Sequence, residues 1–141
     1  MLDRARILGL IRHQGAMCLL DRVIDCSAQR IVCSSQSHLN PANPLCRRGR
    51  LSTVCGVEYG LQAAASHGAL LGRVKQQGRL VALRQVVIHH PRLDDPTIAQ
   101  LRAEAVLEHG DAVGVIYRFQ LRAEDGRRLA EGRATIAFQR P

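Results

Sequence analysis

A histidine and a glutamate, His38 and Glu58, are the residues of this sequence whose types and surroundings best suit acid–base chemistry. His38 stands where a predicted strand ends and a proline-rich loop begins. Histidine titrates near neutral pH, which suits a general base. The alternative for His38 is an ordinary surface histidine in a loop.

Glu58 lies near the start of a predicted helix, among apolar neighbours such as Val54 and Leu61. Acids are seldom buried without a partner or a purpose, and burial would keep the carboxyl protonated, as a general acid requires. Gln62 follows one helical turn later on the same face, where it could orient Glu58. The alternatives are a carboxylate that reaches solvent or pairs with an arginine, and an ordinary packing role for Gln62.

The helix that carries Glu58 is predicted over residues 53–72. Ser52 and Thr53 can cap its start, and Gly72 is a typical stop. Small and apolar residues cover most of its faces, which is typical of a buried helix and would let a sheet approach closely. Residues at spacings of three and four form its apolar pattern: Val54, Val57, Leu61, Ala64, Ala65, Gly68 and Leu71.

Strands are predicted to surround this helix. Residues 2–12 have the spacing of a short amphipathic helix, and residues 38–52 have the composition of a long loop. The segments 17–24, 30–37, 80–89, 98–108, 113–122 and 129–138 are predicted strands. Hairpins are expected to join the last four, with Asp125–Gly126 as one turn. The sequence therefore predicts one α+β domain over residues 1–141, with an antiparallel sheet wrapped around one long central helix, which is the hotdog arrangement.

The charge of the chain predicts an acidic partner. The net charge is +8, and the 20 basic residues comprise 19 arginines and one lysine. With no tryptophan, two phenylalanines and two tyrosines, the chain offers no platform for stacking bases, so no nucleic-acid partner is expected. The densest basic patch is Arg47, Arg48 and Arg50, and a small acidic protein would suit it.

A cytoplasmic location without membrane attachment is expected. No apolar run approaches the roughly 18 residues of a membrane helix, and the first 13 residues lack the apolar region of a secretory signal. The five cysteines have irregular spacing without a Cys-x-x-Cys pair, which favours reduced thiols over disulfides or a zinc site.

Three segments resemble one enzyme family. Residues 11–23, IRHQGAMCLLDRV, are similar to the first motif of the 3-hydroxyacyl-(acyl carrier protein) dehydratases of fatty-acid synthesis. Residues 56–63, GVEYGLQA, resemble the Glu-x-x-x-Gln motif of their central helix, and His38 lies where they carry the catalytic histidine. The pattern is most similar to a divergent branch associated with aryl polyene and pigment biosynthesis.

The resemblance implies the elimination of water from a 3-hydroxyacyl thioester carried by the phosphopantetheine arm of an acyl carrier protein. His38 would remove the α-proton, and Glu58 would protonate the departing hydroxyl. In this family the two residues of one site come from different subunits, so it implies a homodimer or a heterodimer with a related hotdog subunit. It implies neither a metal nor a nucleotide. Substrate contacts are assigned to Gln62 and to the helix N-terminal residues Val54, Cys55, Gly56 and Val57.

Two departures distinguish the chain from the main family. His38 is followed by Leu39, Asn40 and Pro41 instead of Phe-Pro-Gly, and Thr53 replaces the glycine whose amide binds the thioester oxygen. Two other functions therefore stay open. One is a hotdog thioesterase acting through the helix carboxylate, and the other is a non-catalytic subunit that pairs with a dehydratase.

The remaining candidate residues are assigned structural roles. His13 matches a structural position of the family, and His67 should face away from Glu58. The neighbouring His89 and His90 should point to opposite faces of a strand, which disfavours a metal site. Cys55, close to a helix N-terminus, is a candidate for a lowered pKa, but no base is placed beside it.

Overall fold

One seven-stranded antiparallel sheet and one long helix make up most of the computed structural model, which describes residues 2–10, 17–72 and 78–138. The strands are β1 (Leu2–Asp3), β2 (Arg22–Cys26), β3 (Arg30–Ser35), β4 (Gly78–Ile88), β5 (Leu101–Gly110), β6 (Gly114–Ala123) and β7 (Arg128–Phe138). The helices are α1 (Arg4–Leu10) and α2 (Gly56–Leu70), and short 3-10 turns lie at Ser37–Leu39 and Thr53–Cys55.

The sheet order is β1-β2-β3-β5-β6-β7-β4, and α2 packs against its centre. This arrangement confirms the predicted hotdog fold. Hairpins join β5 to β6 and β6 to β7, as predicted, and Gly126 takes a positive φ of 97° in the second turn. The prediction that a hairpin also joins β4 to β5 is wrong, because β4 pairs with β7 and forms the far edge of the sheet.

Close contact between α2 and the sheet depends on small side chains. A Cβ placed on Gly60 would meet three atoms of Phe119 in β6 at 2.5 to 2.9 Å. One on Gly56 would meet Leu121 at 2.8 Å. Tyr59 and Ala63 of the same helix belong to the hydrophobic core, and both are fully buried.

Among the described residues, the side of α2 that faces the sheet is buried. The opposite side carries Glu58, Leu61, Ala65 and Gly68, and Val54 of the preceding 3-10 turn continues it. We call these five residues the outer stripe of α2, and all five are exposed or half-buried. Val54 is 61% exposed. The expectation of a helix buried on most faces therefore fails for the isolated chain, because the periodic apolar pattern lies largely on the side that the sheet does not cover.

Two predicted element boundaries differ from those in the structure. The amino-terminal helix is preceded by the two-residue strand β1, which pairs with β2. Residues 18–20 are buried but do not join the predicted strand, because side chains bind their backbone. Gln62 accepts from the Leu19 amide, and the Ser35 and Ser37 hydroxyls donate to the Leu19 carbonyl.

Candidate active site

His38 lies in the 3-10 turn that directly follows β3, and its side chain is fully buried. Its Nε2 is 2.6 Å from the carbonyl oxygen of Ile98. A carbonyl oxygen can only accept, so Nε2 carries the proton of the neutral ring. Nδ1 then holds the lone pair, and it is buried without a hydrogen-bond partner in the described structure. In the neutral ring the position that can accept a proton is therefore Nδ1.

Burial lowers the pKa of His38 from its ordinary value of 6.5. The hydrogen bond to Ile98 and the charges of Asp21 and Asp94 act in the opposite direction but do not outweigh desolvation. A lowered pKa keeps the imidazole neutral at pH 7, which is the state that a general base needs.

Glu58 lies in the first turn of α2, on the outer stripe, and is half-buried in the single chain. Gln62 donates from Nε2 to Glu58 Oε1 across 3.3 Å, so the predicted neighbours are in contact. The hydrogen bond that His38 makes goes to Ile98 and not to Glu58. The structure thus places the two predicted residues on neighbouring elements without joining them directly.

Gln62 is fully buried and ties the residues before β2 to α2. Its Oε1 accepts from the Leu19 amide at 2.9 Å, and its Nε2 also donates to the Met17 carbonyl at 2.6 Å. These bonds fix the amide that contacts Glu58, and they support an orienting role. Contact between Gln62 and a substrate stays a prediction.

The amides at the helix N-terminus are mostly engaged within the protein. Val54 N donates to Ser52 Oγ at 3.3 Å, and Cys55 N donates to the Ser52 carbonyl at 3.0 Å. Gly56 N donates to the Thr53 carbonyl. Ser52 is therefore the capping side chain, and the predicted substrate contacts of Val54, Cys55, Gly56 and Val57 stay predictions. Thr53 Oγ1 is buried here without a partner in the described structure.

A loop over residues 89–100 holds both halves of the candidate site. The Ile98 carbonyl binds His38, and Leu93 N donates to the Leu51 carbonyl at 2.8 Å, just before the start of the helix. Arg92 and Asp94 pair across 2.6 Å, and this guanidinium is the main cause that lowers the pKa of Asp94 to about 2. The loop therefore fixes His38 and the N-terminus of α2 relative to each other.

Three residues that the sequence did not single out join the His38 turn to α2. The hydroxyl of Tyr59 lies 2.7 Å from Ser37 Oγ, and Asn43 Nδ2 donates to it across 3.2 Å. One signal was available, since Tyr59 is one of two tyrosines and follows Glu58 in a predicted buried helix. Buried tyrosine hydroxyls usually find a hydrogen-bond partner.

A surface cavity of about 360 Å³ opens beside this turn. Asp21, Ser37 and Asn43 contribute to its lining, whereas His38 and Glu58 do not.

The other candidates have structural surroundings. His67 Nε2 donates to the Ser27 carbonyl at 2.8 Å, so its Nδ1 accepts from the Tyr117 hydroxyl at 2.6 Å. His90 pairs with Asp95 across 3.0 Å and His89 with Glu131 across 3.5 Å.

Two further predictions concern Cys55 and His13. The expectation of a lowered pKa for Cys55 is wrong, because desolvation raises it despite the nearby Arg47. His13 and residues 11–16 of the first motif lie outside the described residues. Within those residues, no helix combines the length and apolar character needed to cross a membrane.

Comparisons with known proteins agree with this fold. The dehydratase heterocomplex ApeI:P from Xenorhabdus doucetiae superposes with a TM-score of 0.81 at 19% identity, over 99% of this chain and 93% of the other. AziG from S. sahachiroi gives 0.68 at 16% identity, over 92% and 100% of the two chains. The PaaI protein of the E. coli phenylacetic acid degradation operon gives 0.64 at 13% identity, over 95% and 88%.

No curated protein matches the chain in sequence. The model of the ApeP-like family, described as ApeP dehydratase, matches residues 5–140. Since that match spans nearly the whole chain, the protein belongs to the ApeP-like dehydratase family.

Proposed function

We propose that this chain dehydrates a 3-hydroxyacyl thioester, carried by an acyl carrier protein, to the trans-2-enoyl thioester. The observation that carries the proposal is the buried ring of His38, whose unpaired Nδ1 is available as a base. Family membership supports the reaction type. The carrier and the position of the hydroxyl come from the sequence resemblance alone.

The reaction needs one base and one acid. His38 Nδ1 takes the α-proton of the substrate, and the electron pair released forms the double bond as the C–O bond to the 3-hydroxyl breaks. Glu58 gives its proton to the departing hydroxyl, which leaves as water. His38 then holds one proton more and Glu58 one fewer, and exchange with solvent restores both. Such proton transfers each contribute roughly 10²- to 10⁴-fold to a rate.

We place Glu58 in a site completed by a second subunit. The outer stripe that carries it is exposed or half-buried among the described residues, and the hydrogen bond of His38 goes to Ile98 and not to it. A partner packed against that stripe would bury Glu58 and could bring its own histidine to it. The similar Xenorhabdus structure is a dehydratase heterocomplex, which supports pairing with a related hotdog subunit, and a homodimer is the alternative.

The hotdog relatives also include thioesterases, such as a hypothetical thioesterase with coenzyme A from Streptococcus pneumoniae at a TM-score of 0.58 and 14% identity. A thioesterase would use Glu58 and leave His38 without a role. The burial of His38 and its hydrogen bond to the Ile98 carbonyl favour the dehydratase. A cytoplasmic location and independence from nucleic acid remain predictions.

The test measures two products on the same sample. The chain is purified alone and together with a related hotdog subunit, and each sample receives a trans-2-enoyl thioester. Loss of the conjugated double bond by hydration, without release of free thiol, is expected. Free thiol would instead identify a thioesterase. Hydration that depends wholly on the partner's acid and base, and survives loss of His38 and Glu58, would identify a non-catalytic subunit.

A further inference from the structure

Tyr59 connects the two turns on which the proposed catalytic residues stand. It follows Glu58 in α2 and is fully buried, and its hydroxyl lies 2.7 Å from the Oγ of Ser37, the residue before His38. Asn43 donates from Nδ2 to the same hydroxyl at 3.2 Å and to the Ser37 carbonyl at 3.0 Å. The 3-10 turn of His38 is therefore bonded to the helix through both the side chain and the backbone of Ser37.

The direction of these bonds follows from the number of hydroxyl protons. Ser35 donates to the Leu19 carbonyl. Ser37 also donates its single proton to that carbonyl, at 2.8 Å, and its Oγ lies 2.8 Å from Ser35 Oγ. The proton between Ser37 and Tyr59 must then come from Tyr59. Tyr59 thus accepts from Asn43 and donates to Ser37, which gives its hydroxyl a defined orientation.

The same network returns to Glu58 by a second route. The amide of Leu19, whose carbonyl receives the serine hydroxyls, donates to Gln62 Oε1 at 2.9 Å. Gln62 Nε2 in turn donates to Glu58 Oε1. A closed circuit of hydrogen bonds thus runs from Tyr59 through Ser37, Leu19 and Gln62 to Glu58, and the peptide bond between Glu58 and Tyr59 completes it.

We propose that Tyr59 is a positioning residue for the dehydration, which holds the His38 turn against α2 so that Nδ1 keeps its place. The inference rests on the proposed function. The Ile98 carbonyl fixes the ring from one side, and the Tyr59–Ser37 bond fixes the backbone that carries it. Precise placement matters, because a displacement of about 1 Å can cost roughly 10²-fold in rate.

The pH dependence separates positioning from a purely structural role. Burial lowers the pKa of His38, and Asp21 and Asp94 are the charged groups that act on it. A loosened turn would admit water to the ring and move that pKa back towards 6.5. In Tyr59→Phe we expect kcat to fall about tenfold with KM nearly unchanged. The acid limb of kcat/KM should move to higher pH.

Tyr117→Phe is the matched control. Tyr117 is also buried, and its hydroxyl is bonded to another part of α2, at His67. Tyr117→Phe should lower the melting temperature about as much as Tyr59→Phe does, and it should leave kcat and the acid limb of kcat/KM unchanged. Both variants are measured in the assembly that shows activity.

Ser37→Ala provides a second approach, because it removes the same bond from its other end. If Tyr59→Phe does not fold, Ser37→Ala should show the lower kcat and the shifted acid limb. If both fold, the double variant should be little worse than the worse single. Suppose that His38→Ala is inactive but Tyr59→Phe or Ser37→Ala keeps the wild-type kcat and the wild-type acid limb. That result would overturn the inference and leave the proposed function intact. Activity in His38→Ala would remove the proposed function itself.

Discussion

At the scale of single residues, the chemistry depends on which state of His38 the fold favours. Burial lowers its pKa below the value of 6.5 that it has in an unfolded chain. The unfolded chain therefore binds the proton more readily. The stability that His38 contributes is complete above pH 6.5 and is lost as the pH falls through the folded value.

The lowered pKa of His38 predicts how activity and stability depend on pH. The acid limb of kcat/KM should lie below pH 6.5, and the free energy of unfolding should fall over the same range. His109→Asn is a suitable control, because the side chain of His109 is 66% exposed and should not affect the limb. An acid limb centred above pH 6.5 in wild-type protein would be inconsistent with His38 as the buried base.

The sequence indicated His38, Glu58 and Gln62 from residue type, helical spacing and family motifs. It could not indicate that Ser37 and Asn43 bind Tyr59, because those contacts join residues 22 and 16 positions apart. Nor could spacing show that Ser52 caps the helix while Thr53 Oγ1 stays buried and unpaired, since both residues are good caps.

At the scale of elements, the contact of α2 with the sheet depends on Gly60. In Gly60→Ala the new Cβ would overlap the ring base of Phe119, which is buried and cannot easily move. We expect a loss of about 1–3 kcal/mol in unfolding free energy. Urea unfolding of the purified variant measures it.

Gly9→Ala, in α1 and outside the proposed subunit contact, is the control. Nothing lies within 4 Å of its new Cβ, so the lower backbone entropy of alanine should stabilise the protein by about 0.5–1 kcal/mol. Equal stability of the two variants would contradict the packing described for Gly60.

Periodicity identified α2 and most strands, but not which strands are neighbours. The alternation in β5, β6 and β7 gives each strand a face, and short turns between them give the pairing. The connection after β4 is longer and carries no such turn, so its pairing with β7 at the far edge depends on tertiary contacts. The apolar spacing in α2 likewise predicted one apolar stripe, but it did not show that the sheet packs against the opposite side of the helix.

At the scale of the whole molecule, two partly exposed apolar surfaces in the described part of the chain predict assembly. One is the outer stripe of α2, and the other is the edge strand β4, whose apolar side chains are about two-fifths to one-half exposed. A long apolar edge strand is a template for pairing with another chain. Six side chains form this exposed set: Leu80, Val81, Leu83, Val86, Val87 and Ile88.

Charged substitutions on β4 should therefore prevent assembly. Leu83→Lys combined with Val86→Lys is expected to convert the assembled protein to a monomer and to abolish turnover, as measured by light scattering and activity. Val113→Lys, at a side chain that is 70% exposed between β5 and β6, should do neither. A wild-type chain that is monomeric and fully active would refute the shared site.

The basic turn at residues 47–50 is the predicted carrier contact. Arg47, Arg48 and Arg50 are all exposed in the loop between the His38 turn and α2. Arg47→Glu with Arg50→Glu should raise KM for a carrier-bound substrate, more strongly at low salt, and spare a pantetheine analogue.

Arg118→Glu with Arg128→Glu is the control for net charge, because it changes two exposed arginines of the sheet by the same amount. That pair should leave KM for both substrates unchanged. If Arg47→Glu with Arg50→Glu raises KM equally for the carrier-bound substrate and the pantetheine analogue, the substitutions have damaged the active site instead.

The central claim, that His38 and Glu58 carry out acid–base chemistry, is tested most directly by kcat and melting temperature in Glu58→Gln. Glutamine keeps the oxygen that accepts from Gln62 but has no acidic proton to transfer to a leaving group. We predict that kcat falls by at least about 10², as His38→Ala should also show, and that the double variant is little worse. The melting temperature should change by only about 2 °C, because the side chain is half-buried. A lower melting temperature with near-wild-type kcat would contradict the account and make Glu58 a structural residue.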